Sequence, residues 1–405
     1  MKILVVTEYY FPEDFRINDI CEGLVKKGHS VTVVTGIPNY PRGIVFEGYE
    51  KSYLKPETIN GVTVIRCNNR PRKKGLFNLL LSYITYVRKA KQVIKKLNNE
   101  FDIVYAYQMS PISLVKPAIL YKKKHHVPLY VYVCDVWPES VRDLGGDKPM
   151  STHNPIYLYY KLMSKSIYKS ADLIGVKCNE FIDYLENVCG VDRAKCSLNY
   201  EHAEQNYLKV KETPTDNKII DFMYLGNLGH ASNCDLILEA AALLEKRNFK
   251  IHFVGDGSEY NNLLELTKRL NLEEVVVFHG RVPQSEIIEY YNIADFCLLT
   301  LSGKTFIGLT PPAKLTGYMA ACRPIIAAVD GAAASIIKEY KCGLVCPAGD
   351  ANEYAKLMQN AIDNSEHLSE LGVNGRHSFL SHFTLDKHIQ KLEEALFCLI
   401  NGKGL

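Results

Sequence analysis

The residues best suited to chemistry lie in one segment, TFIGLTPPAKLTGYMAACRPIIAAV at 305–329. A loop that precedes a helix presents unpaired backbone amides and the positive end of the helix dipole, and both suit a phosphate group. Lys314, near the first turn of the helix predicted here, adds a full positive charge, and Thr310 and Pro311 precede it. The alternative interpretation is that Lys314 is an ordinary solvated lysine on a helix surface.

A second loop with suitable residues is YLGNLGHAS at 224–232, between a predicted strand and a predicted helix. Gly226 and Gly229 allow the backbone to approach a diphosphate closely, and Asn227 can donate through its side-chain amide. The alternative is a tight turn with no ligand, because glycines are common where a strand passes into a helix.

Two further segments follow in the same half of the chain. HGRVP at 279–283 ends a predicted strand, so the backbone near Arg281 and Val282 offers an edge that can pair with a nucleobase, and Arg281 can lie against the base or a phosphate. In VGDGSEY at 254–260 the glycines are expected to serve turn geometry, and Asp256 is predicted to be structural.

In the first half, the carboxylates of Asp135 and Glu139 lie in CDVWPES at 134–140, directly after a predicted strand. Open α/β sheets bind ligands at the carboxyl ends of their strands, so the two acidic groups can orient the hydroxyls of a ligand. Trp137 between them can also serve packing. Arg16 follows the first predicted strand and either meets a phosphate or pairs with a nearby acidic side chain.

A basic stretch, 66–96, contains ten Lys or Arg residues and no Asp or Glu. Its residues 75–96 place apolar side chains at helical spacing between two basic clusters, of which the first includes Arg70, Arg72, Lys73 and Lys74. The pattern fits a helix lying on an anionic membrane surface. It equally fits a core helix with solvated lysines, and one helix on the domain edge can do both.

Alternating strands and helices must position these groups. In the first half the predicted strands are 2–7, 30–35, 62–66, 102–107, 129–134 and 172–177, with a helix at 16–27. In the second half they are 219–225, 250–254, 275–278, 295–301, 323–329 and 343–346, with a helix at 311–321 that has Pro in its first turn. Continuous apolar strands separated by helices predict parallel sheets covered on both faces. The expected class is α/β, with two Rossmann-like, doubly wound domains facing one another across a cleft.

We expect an N-terminal domain over 1–205, a second domain over 206–384, a linker within the polar stretch 209–218, and a last helix at 385–400 that returns to the first domain. The 405 residues suffice for two cores, and a net charge of +3 is too small to imply nucleic acid as a ligand.

Neither a secretory signal nor a run of about 18 apolar residues is present. The twelve scattered cysteines fit a reducing cytosol, and Cys342 and Cys346 lack partners for a zinc set.

The chain resembles the retaining, family 4 glycosyltransferases with the GT-B fold. The resemblance rests on several segments that follow in the usual order: EYYFPE, GHSVTV, PNYPRG, CDVWPES, YLGNLGHAS, VGDGSEY, HGRVP and TPPAKLTGYMAACRP. It points to the bacterial surface-polysaccharide branch, which includes L-fucosamine and N-acetylamino-sugar transferases.

The resemblance implies transfer, with retention, from a UDP-linked N-acetylamino sugar to a polyprenyl-diphosphate-linked saccharide for a capsule or O-antigen. The protein is expected at the inner face of the plasma membrane, with no metal or other cofactor and no nucleic acid. Catalytic roles are implied for Lys314, Asp135 and Glu139. Roles in binding the acceptor or the membrane are implied for Arg16, Arg70, Arg72, Lys73 and Lys74. The implied donor-binding residues are Gly226, Asn227, Gly229, Arg281, Val282, Thr310, Pro311, Lys314 and Tyr318.

One departure concerns two glutamates that much of the family carries eight positions apart in the donor element, where this chain has Leu309 and Gly317. The nucleotide and the ribose contacts are therefore open, and no catalytic base is assigned. Two alternatives remain: a sugar-nucleotide epimerase of the same fold, which needs acidic and histidine groups at the anomeric site, and an accessory subunit that binds sugar nucleotide. A dinucleotide-binding enzyme is disfavoured because no G-x-G-x-x-G follows the first strand.

Overall fold

The computed structural model describes residues 1–142, 150–212, 219–245, 248–303 and 310–402. It contains two compact units. The first comprises Met1–Tyr200 together with the C-terminal residues from Leu385, and the second comprises Glu201–Thr384. Residues 213–218 of the expected linker and Leu309 of the donor element lie outside the described residues.

The first unit is built on an eight-stranded sheet of order β3-β4-β2-β1-β5-β6-β7-β8. All neighbouring strands are parallel except the edge pair β3 and β4. The strands are β1 Lys2–Val6, β2 Ser30–Gly36, β3 Glu57–Ile59, β4 Val62–Cys67, β5 Ile103–Gln108, β6 Leu129–Val133, β7 Leu173–Val176 and β8 Cys196–Leu198. The central strands β5, β6 and β7 are buried along their whole length, because helices cover both faces of the sheet.

The helices of this unit are α1 Arg16–Lys26, α2 Leu76–Lys96, α3 Lys116–His125, α4 Glu139–Arg142, α5 Pro155–Ser170, α6 Asn179–Asn187 and, after the second unit, α14 Leu385–Ile400. Helix α14 packs against α1, where Ile389 meets Gly23, and its Leu392 and Leu396 join the core around β1 and β2. The returning C-terminal helix thus closes one face of the first sheet.

The second unit has a six-stranded parallel sheet of order β11-β10-β9-β12-β13-β14. Its strands are β9 Ile220–Leu225, β10 Phe249–Val254, β11 Val276–Gly280, β12 Phe296–Thr300, β13 Ile325–Ala328 and β14 Gly343–Cys346. Its helices are α7 Asp235–Ala242, α8 Tyr260–Arg269, α9 Ile287–Ile293, α10 Ala313–Ala320, α11 Gly331–Glu339, α12 Ala351–Asp363 and α13 Ser365–His382. Both units therefore have a Rossmann-like α/β architecture, as the sequence predicted.

The elements agree with the predicted ones to within one or two residues, with three differences. The short strands β3 and β8 were not predicted, since three residues carry too little pattern. Residues 205–209, which end at the first residue of the expected linker, form a short 3₁₀ helix whose Tyr207 is buried. The helix predicted over 311–321 begins later, because Pro312 adopts an extended conformation at its N-cap and α10 starts at Ala313.

All twelve cysteines are free thiols, and nine of them are buried. Within the described ranges, no helix combines the length and apolar character needed to cross a membrane.

Candidate functional site

The loop after β9 lies at the carboxyl end of the second sheet. Gly226 has a φ of 136°, a value that L side chains rarely adopt, and its amide donates to the Val254 carbonyl at 2.9 Å. The amide of Leu228 donates to Asp256 at 3.0 Å. The amides of Asn227 and Gly229 donate to no acceptor among the described residues. The loop is therefore fixed by its neighbours while two amides remain available to an anion.

Glycines in the adjoining loop make this close approach possible. A Cβ on Gly255 would lie 1.8 Å from the Gly226 carbonyl oxygen, and one on Gly257 would lie 2.3 Å from that of Leu228. The prediction that these two glycines serve geometry is confirmed, since only residues without a side chain fit there.

Lys314 reaches this loop from the first turn of α10. Its ammonium donates a hydrogen bond to the Tyr224 hydroxyl and lies 3.8 Å from the centroid of the same ring. A Cβ on Gly226 would lie 3.3 Å from Nζ, so the ammonium stands directly over the glycine loop. Burial lowers the pKa of Lys314 to about 8. Lys314 is thus half-buried at the loop and is not an ordinary surface lysine.

Tyr224 supports both sides of this arrangement. Burial raises the pKa of its hydroxyl well above the usual value, so the group stays protonated and donates to the Asn227 carbonyl at 3.0 Å while it accepts from Lys314. Ser232 donates to the same Asn227 carbonyl at 2.8 Å. Sequence reasoning missed Tyr224, because its type is common at a strand end, although its place directly before the glycine loop is a usable signal.

Tyr318, expected to bind the donor, is buried beneath the loop instead of facing it. Its hydroxyl accepts from the Leu225 amide at 3.1 Å and donates to the Leu298 carbonyl at 3.2 Å. The side chain therefore ties α10 to β9 and β12. We assign it a positioning role toward the loop.

Gly317, one of the two positions where the resemblance implies glutamate, is buried in α10. A Cβ there would lie 3.2 Å from the Tyr291 hydroxyl and 3.4 Å from the Tyr207 ring. An acidic side chain could not be accommodated without moving these tyrosines.

The remaining donor candidates lie near the same sheet edge. Arg281 is exposed and Val282 half-buried directly after β11, and Gly280 has a φ of 67° that turns the chain there. Thr310 and Pro311 are half-buried and precede α10. The second unit thus gathers a glycine loop, a lysine and a helix N-terminus at one place, an arrangement that suits a diphosphate.

In the first unit, Asp135 follows β6 and takes part in a short polar chain. Trp137 Nε1 donates to Ser110 Oγ at 3.0 Å, and Ser110 Oγ donates to Asp135 Oδ2 at 2.8 Å. The other Asp135 oxygen accepts no bond from the described residues. Ser110, which sequence reasoning missed, lies on a different loop and carried no local signal.

Glu139 differs from Asp135 in its surroundings. Its carboxylate is buried and accepts from the Tyr157 hydroxyl at 2.8 Å, the Tyr184 hydroxyl at 3.0 Å and Arg142 Nη1 at 2.9 Å. These three bonds occupy the group within the protein. The geometry favours a structural role for Glu139 and leaves Asp135 as the carboxylate with capacity for a ligand.

The basic candidates are spread along the same unit. Arg16 is the first residue of α1 and is half-buried. Glu13, an acidic residue near it in the sequence, has a carboxylate that accepts hydrogen bonds from the amides of Asn39 and Tyr40 at 2.7 Å. The other four lie in the loop before α2: Arg70, Lys73 and Lys74 are exposed, and Arg72 is half-buried with its guanidinium 5.4 Å from the Tyr40 ring centroid.

Among the described residues, no group of three or more His, Cys, Asp or Glu side chains is arranged to hold a metal ion.

Two family models match the chain and together cover most of it. Residues 205–378 match the model described as glycosyl transferases group 1, and residues 15–199 match the glycosyl transferase 4-like domain.

Two curated relatives are 28% identical to the chain. The match to N-acetyl-alpha-D-glucosaminyl L-malate synthase of Bacillus anthracis covers 42% of this chain and 44% of that protein. The match to probable glycosyltransferase WbjE of Pseudomonas aeruginosa covers 59% of this chain and 60% of that protein. The chain thus spans about half the length of these two relatives.

Among solved structures, Anabaena HepE in complex with UDP superposes with a TM-score of 0.71 at 15% identity, over 98% of this chain and 99% of that one. At this identity the likeness shows the fold alone, which is GT-B.

Proposed function

Because the chain belongs to the retaining group 1 glycosyltransferases of family 4, with the GT-B fold, we propose that it transfers a sugar from a nucleotide-diphosphate sugar to a lipid-linked saccharide. The donor is a UDP-linked N-acetylamino sugar. The acceptor is a polyprenyl-diphosphate-linked saccharide in the assembly of a capsule or O-antigen type of polysaccharide, at the inner face of the plasma membrane.

The placement of Lys314 over the loop at Gly226 is the observation that carries this proposal. An ammonium, two available amides and a helix N-terminus offer several charge-assisted bonds to one diphosphate. UDP as the nucleotide is supported by the HepE structure, which contains it. An N-acetylamino sugar is supported by the name of the Bacillus relative, which includes an N-acetylglucosaminyl group.

The same groups supply the chemistry of the transfer. As the bond between the sugar and the diphosphate breaks, negative charge builds on the phosphate oxygens and positive charge on the sugar ring. Donors that are already fixed by the fold stabilise this charge without reorganising. Lys314 meets it with a full charge, and the amides of Asn227 and Gly229 add hydrogen bonds.

We assign the acceptor to the first unit. Asp135 keeps one carboxylate oxygen for an acceptor hydroxyl, while Ser110 fixes the other oxygen. The exposed side chains of Arg70, Lys73 and Lys74 lie in a stretch without acidic residues, 58–99, which favours anionic lipid head groups.

The test compares Lys314→Ala with the wild type in binding UDP and uridine by calorimetry. A lost charge-assisted bond is worth about 1.5–3 kcal/mol, so we expect UDP affinity to fall by about 10- to 100-fold with uridine affinity little changed. Lys338→Ala, at an exposed lysine of α11, is the matched control. Equal losses for UDP and uridine would remove the phosphate role of Lys314.

A thermal-shift panel of UDP, GDP, ADP, dTDP and the matching sugar nucleotides then identifies the donor, because a ligand that binds only the folded state raises its stability. No shift with any of them, in folded wild-type protein, would contradict the transferase proposal, whereas a shift without sugar transfer would favour the accessory subunit that binds sugar nucleotide.

A further inference from the structure

Helix α5 exposes large apolar side chains in its first two turns. Ile156, Leu158, Tyr159 and Leu162 are between 45% and 70% exposed. The opposite side of the helix is also apolar, since Tyr157, Ile167 and Tyr168 are buried against the unit. A helix that covers a core on one side is expected to be polar on the other. The outer side of α5 therefore needs a separate explanation.

Three of the exposed side chains share one face. Leu162 lies four residues after Leu158 and three after Tyr159, so the three are neighbours on the helix surface. Lys161 and Lys165 are half-buried on the adjoining flank, Lys169 is exposed, and residues 150–171 contain no Asp or Glu. Helix α5 thus combines exposed apolar groups with positive charge and contributes no negative charge.

Helix α2 repeats this pattern. Phe77 is 72% exposed in its first turn, and Leu80 and Ile84 follow on the same side at 45% and 43%. Farther along, the exposed positions become basic, with Arg88 and Lys95.

Topology places the two helices at one edge of the unit. α2 connects β4 to β5 and α5 connects β6 to β7, and all four strands run parallel in one sheet. Each helix must return against the strand direction, so its first turn lies at the carboxyl edge of the sheet. Both helices also contact the 3₁₀ helix Ile112–Val115, which puts them on the same face of the sheet.

We propose that the first halves of α5 and α2 together form a docking surface for an anionic lipid bilayer. The apolar side chains enter the interface between head groups and acyl chains, and the lysines and arginines beside them meet anionic head groups. The inference deepens the proposed function, on which it rests in one respect: the acceptor is carried by a lipid. It adds α5, whose sequence alone did not suggest a membrane role.

Charge decides between a bilayer and a second copy of this chain. Residues 58–99 and 150–171, which contain the two helices, have no Asp or Glu, so a symmetric dimer through these helix faces would bring basic side chains together with no negative partner on either helix. An anionic bilayer supplies the missing charge.

The experiment measures sedimentation of the full chain with vesicles of phosphatidylglycerol and phosphatidylcholine, and with phosphatidylcholine alone. We expect the double variant Leu158→Gln, Leu162→Gln to bind the anionic vesicles about tenfold more weakly than the wild type. The matched control is Val373→Gln, Leu380→Gln on α13, where both side chains are about half exposed, and it should bind as the wild type does. Lys161→Gln, Lys165→Gln should weaken the preference for anionic vesicles.

Equal vesicle binding by the Leu158, Leu162 variant and the wild type would overturn the inference. The inference would also be overturned if the wild type formed a dimer in sedimentation velocity, the variant were monomeric, and the wild type did not bind vesicles. UDP binding by each variant separates the two proposals, because it should be unchanged when only the docking surface is altered. Absence of UDP binding by the wild type would contradict the transferase proposal, and the vesicle measurement would still test the docking surface.

Discussion

Lys314 Nζ lies over the ring of Tyr224, 3.8 Å from its centroid, and donates a hydrogen bond to the hydroxyl of that ring. The two residues are 90 positions apart, at the start of α10 and near the end of β9. Since Tyr224 also donates to the Asn227 carbonyl, one side chain holds both the ammonium and the glycine loop. The position of the charge and the shape of the loop are therefore linked.

The first prediction concerns pH. Because burial lowers the pKa of Lys314 to about 8, a fraction of the lysines loses its charge as pH rises through that value. We expect UDP affinity to fall between pH 7 and 9, and binding near pH 8 to take up a proton, since a bound phosphate favours the charged amine. Calorimetry in buffers of different ionisation enthalpy measures this uptake. Lys314→Arg keeps its charge and should lose the pH dependence; a parallel pH profile in both proteins would contradict the role of this charge.

The second prediction concerns the glycine pair that brings two loops together. Gly255→Ala places a methyl group 1.8 Å from the Gly226 carbonyl oxygen, so the loop must shift and UDP affinity should fall by at least about tenfold, roughly 1.4 kcal/mol. Gly349→Ala is the control, because Gly349 also has positive φ, 83°, but no atom lies within 4 Å of its added Cβ. It should cost about 1–2 kcal/mol of stability and leave UDP binding unchanged. Similar effects of both variants on UDP affinity would point to backbone strain alone.

The third prediction separates the two acidic residues of the first unit. Glu139→Gln disturbs a buried carboxylate that accepts three hydrogen bonds, so it should lower the free energy of unfolding by about 1–3 kcal/mol and leave the activity per folded molecule near that of the wild type. Asp135→Asn should do the reverse, with KM for the acceptor raised and stability changed by less than about 1 kcal/mol. Urea unfolding and transfer assays on both variants check this. An inactive but stable Glu139→Gln protein would restore the catalytic role expected for Glu139.

The fourth prediction concerns Glu8, which is 3% exposed at the end of β1 and whose carboxyl oxygens have no hydrogen-bond partner among the described residues. Burial raises its pKa to about 8 from an ordinary value of 4.5, against the opposing effect of Arg72. Between these two values the folded protein keeps the proton and the unfolded chain has lost it, so the free energy of unfolding falls as pH rises.

Glu8→Gln removes this contribution, and we expect the variant to gain stability relative to the wild type between pH 5 and pH 8. Urea unfolding at both pH values measures the difference, and Glu50→Gln, at an exposed loop position, should show none. If the difference in the free energy of unfolding between Glu8→Gln and the wild type does not change with pH, the Glu8 carboxyl group is already ionised in the folded protein.

Local pattern was enough to predict the alternating elements of both sheets. Runs such as LYVYV in β6 are buried along their whole length, and a strand covered on both faces must be apolar at each position. The glycine loop at Gly226 and the lysine at Lys314 were also visible in the sequence, because a phosphate site of the kind proposed needs residues without side chains and a nearby charge. These features depend on neighbours in the chain, and the sequence contains them directly.

Tertiary structure decided how distant side chains are used. Tyr318 was expected at the ligand, but its hydroxyl bonds the backbone of β9 and β12, since the direction of a helix side chain depends on what the helix packs against. Likewise, two of the three partners of Glu139, Tyr157 and Tyr184, come from α5 and α6, and no local spacing links them to it. Exposure of the apolar face of α5 was equally hidden, because whether Leu162 enters a core or meets solvent depends on which elements cover it, and only the fold determines that.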